Sequence, residues 1–262
     1  MNALPATYAH HRFGSQAAKI LPAEARRSIR QFRRLYDAGA QGPDIFFYHN
    51  ILFRDKTVSL GKDCHNESGE EFFTRCLASL TPASGEAARA YLWGVLAHYC
   101  LDSVLHPFVL EQTADGGIGH PELETEFDQF LMQSDGIRQP ASHNRGSHLG
   151  LTDGECVTAA LFYPQTSPGA VRRSIRSMAF LTRLTALPPG TLRQVVHWGA
   201  GKKLRQHFIE RTPNKKCTHL NAPMLALYEK ALALLPEMAG RLQAHMDTGE
   251  PLGELFENTF NG

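Results

Sequence analysis

Residues 91–107 read YLWGVLAHYCLDSVLHP, and the central pattern of the chain lies here. His98, Asp102 and His106 recur at every fourth position, so a helix carries all three on one stripe that drifts by about 40° per step. Neighbours at that spacing have Cβ atoms roughly 5–6 Å apart, close enough to converge on one ion. Around them stand Leu92, Trp93, Val95, Leu96, Leu101, Val104 and Leu105. A polar row on so apolar a helix costs free energy unless something satisfies it. Downstream, GHPELETEFD (119–128) repeats the pattern, with His120 and Glu124 at i and i+4 and Asp128 continuing the row. Imidazole nitrogens and carboxylate oxygens on adjacent turns suit zinc. Two such helices face to face bring two ligand rows to one cleft, the all-helical way to build a multinuclear centre.

Outward from this centre, apolar residues keep a three-to-four-residue period nearly throughout. Helices are expected over 13–20, 23–37, 68–80, 86–105, 121–132, 154–162, 168–186, 190–211 and 222–243, with a short piece near 252–260. Ser84 suits the N-cap of the central helix, and Pro107 is expected to end it. Residues 39–60 read as an irregular connection and 134–152 as a long polar loop, the only plausible internal boundary. With neither internal repeat nor alternating run long enough for a sheet, the expectation is an all-α, single-domain multi-helix bundle over 1–262.

Composition narrows the function. Hydrophobic residues make up 42% and charged residues 20% of 262, ordinary for a globular chain. Lys and Arg (27) nearly cancel Asp and Glu (26), which removes the whole-protein argument for nucleic-acid binding. No apolar run approaches the ~18 residues of a membrane span, and the start lacks the pattern of a secretory signal, so a soluble, cytoplasmic protein is expected. The five scattered cysteines contain no CxxC pair, which fits a reducing compartment rather than a disulfide framework. Nine of thirteen histidines fall within the first 150 residues, and histidine is the commonest metal-ligating side chain. No GxxxxGK[ST], GxGxxG or GxSxG occurs.

Taken together, PATYAHHRFG (5–14), GAQGPD (39–44), GKDCHNE (61–67), HYCLDSVLHP (98–107) and HPELETEFD (120–128) resemble the bacterial zinc-dependent phospholipase C family. Its all-helical fold is shared with the single-strand-specific zinc nucleases. The resemblance covers about residues 5–130 and becomes diffuse beyond. It implies two or three zinc ions. Asp44, His65, His98 and Asp102 match the ligands of one; His106, His120 and Glu124 match those of another. His10 matches a ligand of the third, with Asp102 bridging to the first. Secreted members offer an N-terminal tryptophan's amine and carbonyl to that third ion, whereas here nine residues precede His10 and none is Trp. The implied activity is hydrolysis of a phosphodiester, small or in a phospholipid head group, by zinc-activated water, with Asp44 also orienting or deprotonating that water. Peripheral membrane contact would follow, and nucleic acid is the less favoured partner. A nuclease on the same fold and a non-catalytic, zinc-stapled interaction or lipid-sensing protein are the alternatives.

Neighbouring residues have plainer readings. Glu126 lies off the His120–Glu124 face and reads as a solvated charge, and His49 as a satisfied loop histidine. Asp63 or Glu67 could orient His65. Tyr8 and Phe47 suit either core or cleft lining. RRSIRQFRR (26–34) reads as a solvated face, and Cys64 and Cys100 as small apolar filler.

Overall fold

The computed structural model describes residues 7–50, 55–81 and 84–262. In chain order the helices are α1 (Tyr8–Ile20), α2 (Ala23–Gln31), α3 (Arg33–Gly39), α4 (Lys56–Asn66), α5 (Gly69–Ala78), α6 (Gly85–Thr113), α7 (His120–Ser134), α8 (Asp153–Ala160), α9 (Pro168–Thr185), α10 (Thr191–Gly199), α11 (Lys202–Arg205) and α12 (Asn221–Thr248). Among the described residues there is no strand, only an isolated bridge between Ser68 and Thr259, and the fold is all-α.

The architecture is organised by α6. A helix apolar all round belongs in the middle of a protein, and from Ala88 to His106 nearly every residue of α6 is buried. Helices α1, α2, α3, α7, α8 and α12 all pack against it. The closest approach is at Gly39 and Gly94. A Cβ at Gly94 would stand 2.3 Å from the Tyr36 carbonyl oxygen, and one at Gly39 would stand 2.3 Å from that of Tyr91. Two missing side chains therefore let α3 cross α6 backbone to backbone. One cluster of buried apolar residues runs from Ala9 in α1 to Phe260 near the C-terminus.

Several elements depart from the sequence expectation. The helix expected over 23–37 breaks at Phe32 (φ −125°, ψ 48°), which re-aims Leu35, Tyr36 and Ala38 into the core. Within 39–60, Gly42–Tyr48 is a 3-10 turn and α4 begins at Lys56. Pro107 does not end the central helix, which continues to Thr113 and buries Val109. Its missing N–H costs one hydrogen bond to Ser103, a local loss that packing beyond it offsets. The stretch 190–211 divides into α10, α11 and irregular chain. As expected, 134–152 is mostly irregular, with one 3-10 turn at Pro140–Ser142. The arginines of 26–34 lie outward; Arg33 pairs with Asp37 and Arg34 with Glu155.

Candidate metal centre

Five segments place the eight residues singled out by sequence. His10 comes from α1, Asp44 from the 3-10 turn, His65 from α4, His98, Asp102 and His106 from α6, and His120 and Glu124 from α7. All are buried except His120, whose side chain is 26% exposed. The site therefore meets solvent on the His120 side.

Asp102 lies at the middle. Its Oδ1 is 3.3 Å from His10 Nε2 and 3.7 Å from His106 Nε2, and its Oδ2 is 3.0 Å from His98 Nε2 and 3.7 Å from His65 Nε2. Asp44 faces the same space, with Oδ1 3.0 Å from His65 Nε2 and Oδ2 3.8 Å from His10 Nε2. Ligand atoms of His10, Asp44, His98 and Asp102 all fall within 4.8 Å of one another, and those of His106, His120 and Glu124 form a second such group. Glu124 Oε1 stands 3.1 Å from His120 Nε2 and 3.5 Å from His106 Nε2. The geometry thus gathers His10 beside Asp44, His98 and Asp102, where the family resemblance assigns it to a separate ion. His65 flanks this quartet. The backbone near Met1, which could stand in for the family's N-terminal tryptophan, lies outside the described residues.

The donor set fits zinc on a direct test. Asp44 Oδ2, His65 Nε2, both ring nitrogens of His98, Asp102 Oδ2 and Glu124 Oε2 are buried without a hydrogen-bond partner. Orphaned buried polar atoms are rare because each costs about 1–3 kcal/mol. Within the cluster, His65 Nε2 faces Asp44 Oδ1 and Asp102 Oδ2, His98 Nε2 faces Asp102 Oδ2 and Asp44 Oδ2 faces His10 Nε2, at 3.0–3.8 Å and without hydrogen-bond alignment. Two ligands about 2.0–2.1 Å from one tetrahedral zinc are separated by about 3.4 Å, the middle of that range. Convergent lone pairs of this kind call for a shared cation.

Protons satisfy part of this demand when no metal is considered. Burial works against the cation at His65 and His106, yet Asp102, with Asp44 at His65 and Glu124 at His106, outweighs it; the two are held up near about 10 and about 9. Burial likewise opposes the charge on Asp102 and Glu124, but facing imidazoles hold both carboxyls below their ordinary range. At His10 burial dominates and lowers the pKa.

Backbone carbonyls aim two of the imidazoles. His65 Nδ1–H donates to the Gly61 carbonyl (2.6 Å) and His106 Nδ1–H to that of Phe260 (3.0 Å), leaving Nε2 of each toward the cluster. Neither Asp63, which is exposed, nor Glu67, which pairs with Arg75, performs this task for His65. Gly42 (φ +52°) permits the turn that delivers Asp44, and a Cβ there would meet the His98 ring at 2.3 Å.

Two acids of α7 have roles their spacing did not announce. Asp128 turns away from the cluster and accepts the N–H groups of Thr7 (3.3 Å), Tyr8 (3.1 Å) and Ala9 (2.8 Å), capping α1 where it presents His10. Arg145, from the long loop, closes over it at 3.2 Å. Glu126 is buried, not solvated: it accepts the Asn214 N–H (2.7 Å) and an Asn221 side-chain N–H (3.2 Å). His11 stacks on His148 with ring centroids 3.8 Å apart, and His49 Nδ1 lies 3.0 Å from the Ser174 hydroxyl. Tyr8 donates to Asp135, and the Phe47 ring lies 5.3 Å from that of His65. All five cysteines are free and buried.

Imidazole and carboxylate donors clustered between α1, α4, α6 and α7 define the class of all-helical protein able to hold metal ions inside its bundle. Within that class, residues 9–161 match the model of the family described as "Zinc dependent phospholipase C". The chain belongs to this family. No curated protein and no solved structure matches it at a significant level.

Proposed function

We propose that this protein is a zinc-dependent phosphoesterase of the phospholipase C type, cleaving the phosphodiester of a phospholipid head group or a smaller ester. The observation that carries this reading is the convergence of eight side chains from five segments, with buried lone pairs turned inward and left without hydrogen bonds. His10, Asp44, His65, His98, Asp102, His106, His120 and Glu124 are the proposed ligands of two or three ions. Zinc bound among them supplies Lewis acidity toward phosphoryl oxygens and toward an attacking water. Asp102, reaching toward four imidazoles, ties the two groups of donors together. Asp44, with one oxygen unpartnered, orients the water and receives its proton. The buried Phe260 and the half-buried Phe47 beside His65 keep bulk water from these groups, and the substrate arrives on the His120 side. The free thiols fit a cytoplasmic setting.

The test combines elemental analysis with turnover of phosphatidylcholine, bis(p-nitrophenyl) phosphate and single-stranded DNA. Two or three zinc equivalents with cleavage of the first two substrates are expected. His98→Ala and Asp102→Asn should lose metal, and Asp44→Asn should weaken metal binding and slow turnover by about 10²–10⁴-fold. Zinc-replete protein inert to all three substrates overturns the catalytic reading, and preference for DNA replaces phospholipase with nuclease.

A further inference from the structure

Helix α10 (TLRQVVHWG) buries none of its nine residues. Leu192 (64% exposed), Val195 (62%) and Trp198 (84%) recur every third residue and form an apolar stripe open to solvent. Isolated exposed leucines are ordinary, but a tryptophan this bare on the same stripe as two aliphatic residues is not. The helix is nevertheless firmly attached. Arg193, its only charged residue, turns inward and donates to the carbonyls of Ala141, Thr185, Leu187 and Ile209 at 2.6–3.1 Å. The stripe is thus held outward by the residue that fixes the helix.

The surrounding charge identifies what covers it. Residues 156–220 contain eleven Lys and Arg against one acid, Glu210: a formal +10 in a chain whose total is +1, leaving −9 for the remainder. Arg173, Arg176 and Arg183 are exposed along α9, against which α10 packs, with Phe180 (63% exposed) among them. Arg211, Lys215 and Lys216 are exposed beyond α11. An uncharged apolar stripe carrying Trp, set within basic surroundings, has the composition of an element that lies in the interface of an anionic bilayer. A nucleic acid would favour stacking aromatics over Leu and Val and would place cations on the contact helix itself.

Location adds to the argument. Arg205 bonds the Trp198 carbonyl at 2.8 Å, and the next residue, Gln206, closes on Gly119, immediately before the one partly exposed residue of the metal cluster, His120. A surface bound at α10 is therefore linked by a few residues to the solvent-facing end of the centre.

We propose that α10 is a membrane-docking element: Leu192, Val195 and Trp198 enter the interface of a bilayer containing anionic phospholipid, and the exposed Arg173, Arg176, Arg183, Arg211, Lys215 and Lys216 hold it there. Docking does not require the metal centre to be active, so the two readings fail separately. The chain carries its own reporter, because its other tryptophan, Trp93, is buried. In vesicle flotation, protein should partition onto phosphatidylcholine vesicles containing phosphatidylglycerol at least about tenfold more strongly than onto phosphatidylcholine alone, with a blue shift of tryptophan emission. Trp198→Ser with Leu192→Ser should cut partitioning about tenfold or more and abolish the shift, while hydrolysis of soluble bis(p-nitrophenyl) phosphate, if present, stays unchanged. Arg173→Glu with Arg176→Glu and Arg183→Glu should remove the preference for anionic vesicles. Wild-type protein that ignores both vesicles, or binding indifferent to the Trp198 and Leu192 changes, overturns the proposal. So does a dimer in solution that dissociates with Trp198→Ser, or single-stranded DNA that displaces bound vesicles through the same residues.

Discussion

An imidazole ligand has one nitrogen to give to an ion and a second that another group can hold. For His65 and His106 that second partner is a backbone carbonyl, of Gly61 and Phe260, and carboxylates raise their affinity for protons. In metal-free protein this makes stability depend on pH in a defined sense. Their folded pKa values, near about 10 and about 9, lie above the unfolded value of about 6.5. Their contribution is full below about 6.5 and disappears as pH rises through 9 to 10. Asp102 and Glu124 act in the opposite direction, since carboxyls lowered on folding contribute above about 4 and lose that contribution on acidification. As far as these four groups are concerned, metal-free protein should therefore be most stable between about pH 4.5 and 6.5, with Tm falling toward pH 10. Buried His10, whose pKa is lowered, opposes them below about 6.5 and shifts the optimum toward the upper end of that window. Zinc replaces those protons, so its apparent affinity should rise over the alkaline range, and calorimetry in buffers of different ionisation heat should show proton release on binding. A Tm of metal-free protein that climbs from pH 6.5 to 10 contradicts the arrangement. His98, Asp102, His106, His120 and Glu124 were legible because helical spacing is a local feature of sequence, whereas His10, Asp44 and His65 entered only through the family resemblance. The Phe260 carbonyl was not legible: every residue has one, and its approach to His106 across 154 positions is set only by the fold. Asp128 was misleading for a related reason, since spacing placed it on the right stripe but could not show that α1 begins against it.

At the scale of elements, the central helix was recognisable from its all-round apolar character, but its end was not. A proline rule that acts over one turn yielded to burial of Val109 two residues later. The break at Phe32 had no Gly or Pro to announce it and follows from the need to bring Leu35 and Tyr36 inward. The α3–α6 crossing gives a sharp test of which effect dominates. Alanine is a better helix former than glycine by about 1 kcal/mol, so Gly94→Ala would stabilise an isolated helix. Here the added methyl would fall 2.3 Å from the Tyr36 carbonyl oxygen and 2.8 Å from the Ala40 nitrogen, both backbone atoms that cannot rotate away. Overpacking of this kind costs about 1–3 kcal/mol, and we expect Gly94→Ala to be destabilised on balance in urea unfolding. Gly240→Ala in α12, where nothing lies within 4 Å of the added Cβ, should instead be neutral or stabilised. The same sign of change at both glycines would mean that close approach does not govern α6.

Over the whole molecule, the last residues return to the first site. Asn261 donates to the His65 carbonyl, Tyr99 to the carbonyls of Leu255 and Asn258, and the Phe260 carbonyl receives His106. With apolar packing continuous from Ala9 to Phe260, residues 1–262 are proposed to form one cooperative domain. Zinc binding at the cluster should then stabilise helices far beyond the ligands. A single ion at a thousandfold excess over its Kd contributes about 4 kcal/mol, which for a chain of this size shifts Tm by roughly 10 °C. Chelation should lower Tm by at least that amount in one transition, and amide exchange at 258–262 should accelerate together with exchange in α6. If chelation instead splits the unfolding curve, the region beyond about residue 150 unfolds independently and the boundary weighed at 134–152 is real. If Tm does not move at all, the inward-facing lone pairs are satisfied by something other than a metal, and the proposed chemistry loses its physical basis.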